Sequence, residues 1–398
     1  MKILMSFSPV FIPLAKILHQ QGHTIVGMHP NFTKMLNDQD IPAKSLPEFL
    51  DGKYHFEALN YAARTLGTLG NGRFSHDFPA NMTSGARNFV SKSLPAFLYS
   101  RLGDISTFVS MIEKYSPELV IVHNDVDPMC RSAAFWAKSH KIPCLHIPHA
   151  IHMDIGRGKA TNSDIHDLIT ASHLAVAGPY HAKWYLDRGA NPKTMRVTGL
   201  PQHDKLAKIT QNRSRSCSLL GLDPNKPIVT YASSWRQDTN LLGCHDGVEE
   251  YFVKFVSAIA LLPGIQTVIK LHPNGTGSAQ WHADRAKEKG IHCLVLAAHL
   301  EHVLAVSDAL ISYGPSNILL EASVYSDVRL IATHGFFGDE EIAKLGEEAK
   351  EDEIAGGIRA ILSAPVLNYS ALRSKYFGRL DGGATARIVQ YIEEICKT

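Results

Sequence analysis

The chain has 398 residues, enough for two domains of moderate size with ordinary hydrophobic cores. Lys and Arg number 40 and Asp and Glu 38, so the net charge of only +2 argues against a protein that coats nucleic acid. Charged residues make up 20% and hydrophobic residues 45%, which excludes a disordered or low-complexity chain. Histidine is unusually frequent, with 21 copies of a side chain that acts as acid, base or metal ligand near neutral pH.

The N-terminal segment has two interpretations. Residues 1–18 carry one lysine before an apolar run, as a signal peptide does, but Pro9 and Pro13 interrupt the run and no small-residue cleavage site follows. A buried strand, a turn and a helix explain the segment better. No apolar stretch approaches the ~20 residues needed to cross a bilayer, and the six cysteines lack CxxC spacing, as in a reducing compartment. We expect a cytoplasmic protein, with contact to the inner face of the membrane left open.

Strands and helices alternate along the first half of the chain. KILMSF and TIVGM predict strands on either side of a helix that presents Leu14, Ile17 and Leu18 on one face. Residues 50–100 are rich in Gly, Asn and Ser, which predicts either a surface excursion with short helices or a substrate-binding insertion. Alternation resumes with the strand PELVIVHND, the helix MCRSAAFWAKSH and the strand CLHIPHAIH. This order is typical of βαβ units around a parallel sheet.

The second half repeats the pattern after a break. Residues 200–227 are polar and rich in turn residues, which predicts a linker. From IVTYAS onward strands and helices alternate again, and the tail is predicted to be a helix that docks through one apolar face, formed by Ile388, Tyr391, Ile392 and Ile395. The sequence therefore predicts an α/β protein with two Rossmann-like domains and a cleft between them. The predicted units are residues 1–203, 204–385 and the final helix 386–398.

In the first half, two strands end in polar side chains, where doubly wound sheets bind ligands. Asp125 follows PELVIVHND and could orient or deprotonate a hydroxyl, whereas Asp127 is equally well explained as a helix cap. His149 ends the next strand and is a candidate catalytic imidazole; a structural or solvated histidine is the alternative. A zinc site formed with His146 and His152 is disfavoured, because a spacing of three in a proline-interrupted strand does not put the imidazoles on one face.

Two strand ends in the second half offer groups that bind phosphate. Ser233 and Ser234 are small residues that let a backbone approach a phosphate, and Arg236 could pair with it, a surface salt bridge being the alternative. Lys270, His272 and Pro273 lie at the end of a second strand, in the segment VIKLHPNGTG. The proline fixes the turn, so that the imidazole could donate to a pyrophosphate and stabilise a leaving group; an ordinary turn histidine is the alternative.

A third strand end combines hydroxyls with a helix start. Ser312, Gly314 and Ser316 precede a helix predicted to begin near Asn317, where backbone N–H groups and hydroxyls could bind an anion. Glu321 lies one turn further and could accept hydrogen bonds from a ribose. Simple helix capping by Ser316 is the alternative. The chain has no GxxxxGK[ST] loop and no GxGxxG after its first strand, which excludes P-loop and dinucleotide-dehydrogenase classes.

Taken in order, these segments resemble the GT-B superfamily of nucleotide-sugar enzymes over nearly the whole chain. TYASSWRQD, KLHP and the strand-end histidine of IPHAIH resemble the CDP-glycerol glycerophosphotransferase-like group, and an HP motif also occurs in bacterial transferases that use CMP-sugars. PELVIVHND, KIPCLHI, HPN and the Glu-Ala of LLEA are similar to the non-hydrolysing UDP-N-acetylglucosamine 2-epimerases. Those epimerases carry an acidic residue where this chain has His149. They also carry H-R-R-E-N where this chain has the segment that begins with Trp235 and Arg236. These two departures favour the transferase resemblance.

The resemblance implies a metal-independent transferase without a cofactor, whose final helix packs back on the first domain. Its partners would be a nucleotide-sugar or CDP-polyol donor, CDP- or CMP-linked before UDP-linked, and a glycan, lipid-linked or protein acceptor, with no nucleic acid. The family's two essential histidines fall on His149 as base and His272 at the leaving group. A UDP-N-acetylhexosamine 2-epimerase and a non-catalytic nucleotide-binding scaffold remain alternatives.

Overall fold

The computed structural model describes most of the chain. The described residues are 1–49, 94–124, 127–151, 170–208, 212–233, 247–272, 278–312, 316–325, 328–332, 343–344, 350–366 and 368–397. The expected excursion at residues 50–100 therefore lies outside the described part, except for the start of a helix at Leu94.

Two parallel β-sheets form the framework. The strands of the first sheet are β1 (Lys2–Met5), β2 (Thr24–Gly27), β3 (Ala43–Ser45), β4 (Leu119–Val122), β5 (Cys144–His146), β6 (His173–Val176) and β7 (Met195–Val197). The strands of the second sheet are β8 (Ile228–Ala232), β9 (Gln266–Lys270), β10 (Cys293–Leu296), β11 (Ala309–Ser312), β12 (Arg329–Ala332) and β13 (Ala343–Lys344).

The strand orders are those of doubly wound sheets. The first sheet has the order β3-β2-β1-β4-β5-β6-β7, and the second has the order β10-β9-β8-β11-β12-β13. In each sheet the order reverses between two neighbouring strands, β1 and β4 or β8 and β11, which are in register at Met5 with Ile121 and at Ala232 with Ser312. Ligands bind to such folds outside the carboxyl ends of the strands at this reversal. The predicted α/β class with two parallel sheets is confirmed.

Helices cover the sheets on both faces. Those of the first half are α1 (Ile12–Gln20), α2 (Pro30–Asn37), α3 (Leu94–Tyr115), α4 (Pro128–Ser139) and α5 (Pro179–Leu186). Those that follow are α6 (His203–Lys208), α7 (Arg213–Leu220), α8 (Gly247–Ala260), α9 (Ala279–Glu288), α10 (Leu300–Val306), α11 (Asn317–Ala322), α12 (Glu351–Ser363), α13 (Ser370–Phe377) and α14 (Ala384–Ile395). None of the helices in the described part of the chain is long and apolar enough to cross a membrane.

The prediction of a linker at residues 200–227 was wrong. The segment contains α6 and α7, and both contribute to cores: Leu206 is buried with the final helix, and Cys217 and Leu220 pack beneath the second sheet. Asn212 caps α7 by accepting a hydrogen bond from the Arg215 N–H at 2.9 Å. Because α6 and α7 are short, a few apolar side chains are enough to pack them into the cores. The rest of the segment is polar, so the sequence did not indicate the helices.

The final helix packs back on the first half of the molecule. Asp204, in α6, caps α14 by accepting the Ala384 N–H at 2.7 Å and the Thr385 N–H at 2.9 Å. Further along, the Tyr391 hydroxyl donates to the Thr194 carbonyl at 2.7 Å. The four residues predicted to share its apolar face are all buried, Ile388, Tyr391, Ile392 and Ile395. The predicted return of the helix is confirmed, whereas the domain boundaries at residues 203 and 385 stay predictions.

Candidate functional site

The cleft edge of the first sheet carries a hydrogen-bonded network at the reversal of strand order. Ser6 follows β1 and His123 follows β4, and the Ser6 Oγ lies 2.8 Å from the His123 Nδ1. Asn124 accepts the Asp127 N–H through its Oδ1 at 2.7 Å, which directs its Nδ2 to the His123 Nε2 at 3.0 Å. Since the amide can only donate there, the His123 Nε2 accepts, and its Nδ1 carries the proton that it donates to Ser6.

His149 is oriented by the backbone of His123. Its N–H and its Nδ1 both lie 3.3 Å from the His123 carbonyl oxygen. A carbonyl can only accept, so the Nδ1 of His149 carries the ring proton and the Nε2 keeps its lone pair. On the other side, the Gln202 Nε2 donates to the His149 carbonyl at 2.9 Å. This is the tautomer that a general base requires.

Both imidazoles of this network are neutral at pH 7. Burial, and to a smaller extent the charge that His149 would carry, lower the pKa of His123 to about 4. The ring of His149 opens onto the cleft, but the surrounding walls desolvate it enough to lower its pKa below the ordinary value. The two rings meet edge to face with centroids 5.5 Å apart. His123 was not predicted as a site residue, although its place at the end of a predicted strand was visible in the sequence.

The cleft edge of the second sheet is built around Ser233. Its hydroxyl accepts the backbone N–H of His272 at 2.7 Å, and its own N–H donates to the Lys270 carbonyl at 3.0 Å. The His272 ring is exposed, and its pKa is lowered first by desolvation and then by the charges of Lys270 and His149. The charge that His149 would carry thus reaches His272, so the two predicted imidazoles, one from each sheet, lie near each other.

Lys270 was predicted to bind the donor at a strand end, but its ammonium group bonds to carbonyls within the protein. Its ammonium group is buried and donates to the carbonyls of Leu271 at 2.9 Å and Ala297 at 3.0 Å. Desolvation lowers its pKa, and the carboxylates of Glu321 and Glu301 oppose that shift. Lys270 therefore supplies positive charge beneath the cleft edge while it holds β9 to the segment after β10.

Glu321 lies in a buried setting that favours its protonated form. Burial raises its pKa to about 7, and the positive charge of Lys270 only partly opposes this. The Nε2 of His203 lies 3.9 Å from the carboxyl oxygen. Burial lowers the pKa of His203 to about 4, so the two groups are not an ion pair at neutral pH. His203 lies in the segment predicted to be a linker, and no pattern in the sequence indicated this contact.

The predicted anion site before α11 differs in detail from the expectation. The Ser312 hydroxyl is buried and has no hydrogen-bond partner among the described residues. Ser316 directly precedes α11, but its side chain does not cap the helix. Asn317 turns its amide to the other half of the molecule: its Oδ1 accepts the Ile151 N–H at 3.0 Å, and its Nδ2 donates to the Ile151 carbonyl at 3.3 Å.

Several predicted site residues lie outside the described part of the chain, and their roles stay predictions: Asp125, Ser234, Arg236, Pro273 and Gly314. Asp127, by contrast, is a helix cap, since its Oδ1 accepts the N–H groups of Met129 at 2.9 Å and Cys130 at 3.0 Å. Among the residues that the structure describes, no three His, Cys, Asp or Glu side chains are grouped to hold a metal ion. His146 is buried against Tyr185, and His152 is not described.

One protein family matches part of the chain. The family described as CDP-Glycerol:Poly(glycerophosphate) glycerophosphotransferase matches residues 157–313, less than half of the sequence. The match includes Ser233, Lys270, His272 and Ser312, whereas His149 precedes it. No curated protein matches the chain. The family match confirms the predicted resemblance and the assignment of the chain as a transferase.

Solved structures match over the full length. The UDP-GlcNAc 2-epimerase of Neisseria meningitidis, bound to UDP-GlcNAc, is 14% identical with a TM-score of 0.59, and the match covers 99% of this chain and 100% of that one. The UDP-GlcNAc 2-epimerase of Methanocaldococcus jannaschii, in complex with UDP-GlcNAc and UDP, is 14% identical with a TM-score of 0.55 and 99% coverage of both chains. Anabaena HepE, in complex with UDP and glucose, is 12% identical with a TM-score of 0.50, covering 100% of this chain and 98% of that one. At these identities the likeness shows the fold alone, and it confirms the predicted GT-B fold.

Proposed function

We propose that this protein transfers a group from a CDP- or CMP-activated donor to a hydroxyl of a glycan, lipid-linked or protein acceptor. The observation that carries the proposal is the pair of imidazoles at the strand ends of the two sheets. The ring of His149 is bonded to the His123 carbonyl, the backbone of His272 is bonded to the Ser233 hydroxyl, and the charge that His149 would carry is among the causes that lower the pKa of His272. One has a fixed tautomer with an available lone pair, and the other lies in the segment that matches the glycerophosphotransferase family.

On the acceptor side, the acceptor hydroxyl gives its proton to the His149 Nε2 as its oxygen attacks the donor. The His123 carbonyl holds the opposite ring nitrogen at 3.3 Å and stabilises the imidazolium that forms. We assign Asp125 to this side as the group that orients the hydroxyl or substitutes for the base.

On the donor side, a new bond forms between the acceptor oxygen and the donor's reacting atom. That atom is phosphorus in a CDP-polyol and the anomeric carbon in a CMP-sugar, and in both cases the bond to a phosphate oxygen of CMP breaks and CMP leaves with the electron pair. The His272 ring donates a hydrogen bond to that phosphate, and the buried charge of Lys270 adds to its stabilisation. We assign Ser233, Ser234, Arg236, Pro273, Ser312, Gly314 and Ser316 to phosphate and Glu321 to ribose.

The first experiment is a thermal-shift comparison of CMP, CDP, UDP and GDP with the whole protein. A ligand present at 100 times its Kd stabilises the native state by about 2.7 kcal/mol, so we expect CMP and CDP to raise the Tm by several degrees. We expect UDP and GDP to raise the Tm by less, and the four Tm increases would rank the nucleotides as donors. Stabilisation by none of the four nucleotides would contradict the proposal and favour a scaffold.

A second assay separates the transferase from the epimerase alternative. An epimerase converts UDP-N-acetylhexosamine without an acceptor, whereas a transferase needs a second substrate. We expect no conversion when the protein is incubated with UDP-N-acetylhexosamine alone, and a new epimer in that incubation would overturn the proposal. Because activated nucleotide donors are cytoplasmic substrates, we place the activity in the cytoplasm, at the inner face of the membrane when the acceptor is lipid-linked.

A further inference from the structure

Beyond β5, the segment that carries His149 keeps backbone hydrogen bonds from Ile147 to Val122 and from His149 to His123, and side chains hold it at two further points. Strand β5 ends at His146, and the chain then runs through Pro148 and His149 to the buried Ile151. Gln202 binds the carbonyl of His149 from the first half of the molecule. From the second half, Asn317 binds both backbone groups of Ile151.

The contact between Asn317 and Ile151 suits an amide and few other groups. The Oδ1 accepts the Ile151 N–H at 3.0 Å and the Nδ2 donates to the Ile151 carbonyl at 3.3 Å, so one side chain serves a donor and an acceptor of the same residue. Backbone groups beside a buried side chain are costly to leave without partners. A carboxylate could satisfy only the N–H, and an apolar residue neither group.

We propose that Asn317 is a positioning residue, which holds the His149 segment in its working place from across the cleft. The helix start near Asn317 was predicted to bind the donor phosphate, but the amide of Asn317 is engaged with Ile151. Instead it links the helix that begins next to Ser316, and carries Glu321, to a point two residues beyond the proposed base. The inference rests on the proposed role of His149. Since the two halves share this link, the base reaches its position only when the donor half is in place.

Amide exchange tests the link without any assay of activity. In the whole protein the Ile151 N–H is expected to be protected, and Asn317→Ala should speed its exchange at least tenfold. Asn317→Asp should keep most of the protection, because its carboxylate still accepts that N–H. The Ile147 N–H, which donates to the Val122 carbonyl at 2.9 Å, is the internal reference and should not change.

Kinetics and pH dependence test the positioning role. A displacement of a reacting group by about 1 Å can cost about 10²-fold in rate, so Asn317→Ala should lower kcat by about 10- to 100-fold while the Kd for CMP stays within twofold. Once loosened, the imidazole is less desolvated, and its pKa should rise toward the ordinary value. The acid limb of the kcat profile should therefore move to higher pH.

The control is Asn368→Ala, which removes an amide of the same half that accepts the Ser370 N–H at 2.9 Å outside the cleft. It should change neither the rate nor the pH profile. Unchanged exchange at Ile151 and an unchanged rate in Asn317→Ala would overturn the inference. Should the alanine variant not fold, Asn317→Asp keeps the test available, because it loses the donor to the Ile151 carbonyl and its kcat should therefore fall; an unchanged kcat in that variant would overturn the inference as well. Full activity of His149→Ala would contradict the proposed role of His149 rather than the positioning role of Asn317. The two results can therefore be told apart.

Discussion

Two buried serines at the cleft edge have opposite surroundings. Ser6 follows β1 in the first sheet, and Ser312 ends β11 in the second. Each of these strands lies at the reversal of strand order of its sheet, and each serine is 1% exposed. The Ser6 hydroxyl bonds to the His123 ring at 2.8 Å, whereas the Ser312 hydroxyl has no partner among the described residues. Within the described part of the chain, the fold therefore satisfies the serine of the first edge, whereas the serine of the second keeps hydrogen-bonding capacity that a bound donor would use.

The largest expected effect concerns the cleft edge of the first sheet. His149→Ala removes the proposed base, and general-base help is worth about 10²–10⁴ in rate. We expect kcat to fall by that factor at saturating donor and acceptor. His140→Ala is the control, since it removes an exposed imidazole that stacks on Trp136 away from the cleft, and it should leave kcat within twofold. Full activity of His149→Ala would mean that another group takes the proton.

The next effect compares the two serines directly. Among the described residues, Ser6→Ala leaves the His123 Nδ1–H with only the Cys130 sulfur at 3.7 Å, so it should lower stability by about 1–3 kcal/mol. Ser312→Ala removes a hydroxyl that has no partner among the described residues, so we expect the free protein to lose no stability. The affinity for CMP should fall about fivefold, as expected for one lost hydrogen bond of ~1 kcal/mol.

Chemical denaturation and calorimetry measure these two quantities on the same samples. The contrast between the two serines would be wrong if Ser312→Ala destabilises the free protein as much as Ser6→Ala does, because the Ser312 hydroxyl would then have a partner within the fold. It would also be wrong if Ser6→Ala weakens CMP binding more than Ser312→Ala does.

A smaller effect follows from the protonation of Glu321. Its pKa is about 7 in the folded protein against an ordinary value of 4.5, so the folded state holds a proton that the unfolded chain releases between these values. This contribution to stability is full below pH 4.5 and is lost as the pH rises through 7. Glu321→Gln cannot titrate, so the Tm of the variant minus that of the wild type should grow by on the order of 5 °C from pH 5 to pH 8. A constant difference would show that the carboxyl is already ionised at pH 5.

The fold and the strand-end positions were predictable because they depend on local patterns. Apolar runs such as the one ending at Val122 are buried on both faces of a parallel sheet, and the residue after each run must lie at the cleft edge. His149 and His272 were found in this way. The polar segment at 200–227 gave no such pattern, so α6 and its residues Asp204 and His203 were missed.

Partners of the site side chains were not predictable, because they depend on contacts between distant elements. Asn317 had the position expected of a phosphate ligand, yet its amide binds Ile151, which is far away in the sequence. Lys270 likewise ends a strand, but its side chain turns to two nearby carbonyls. Position along a strand predicts which edge a residue occupies, whereas the direction of its side chain is decided by neighbours from other strands and helices.

The central claim is a division of labour, in which His149 serves the acceptor and His272 serves the donor. Calorimetric titration of CMP into His149→Ala and His272→Ala, with the wild type beside them, tests it most directly. We predict that His149→Ala binds CMP within twofold of the wild type, and that His272→Ala binds about tenfold more weakly, since a hydrogen bond to a charged phosphate is worth roughly 1.5 kcal/mol. Equal losses in the two variants, or no loss in His272→Ala, would contradict the account.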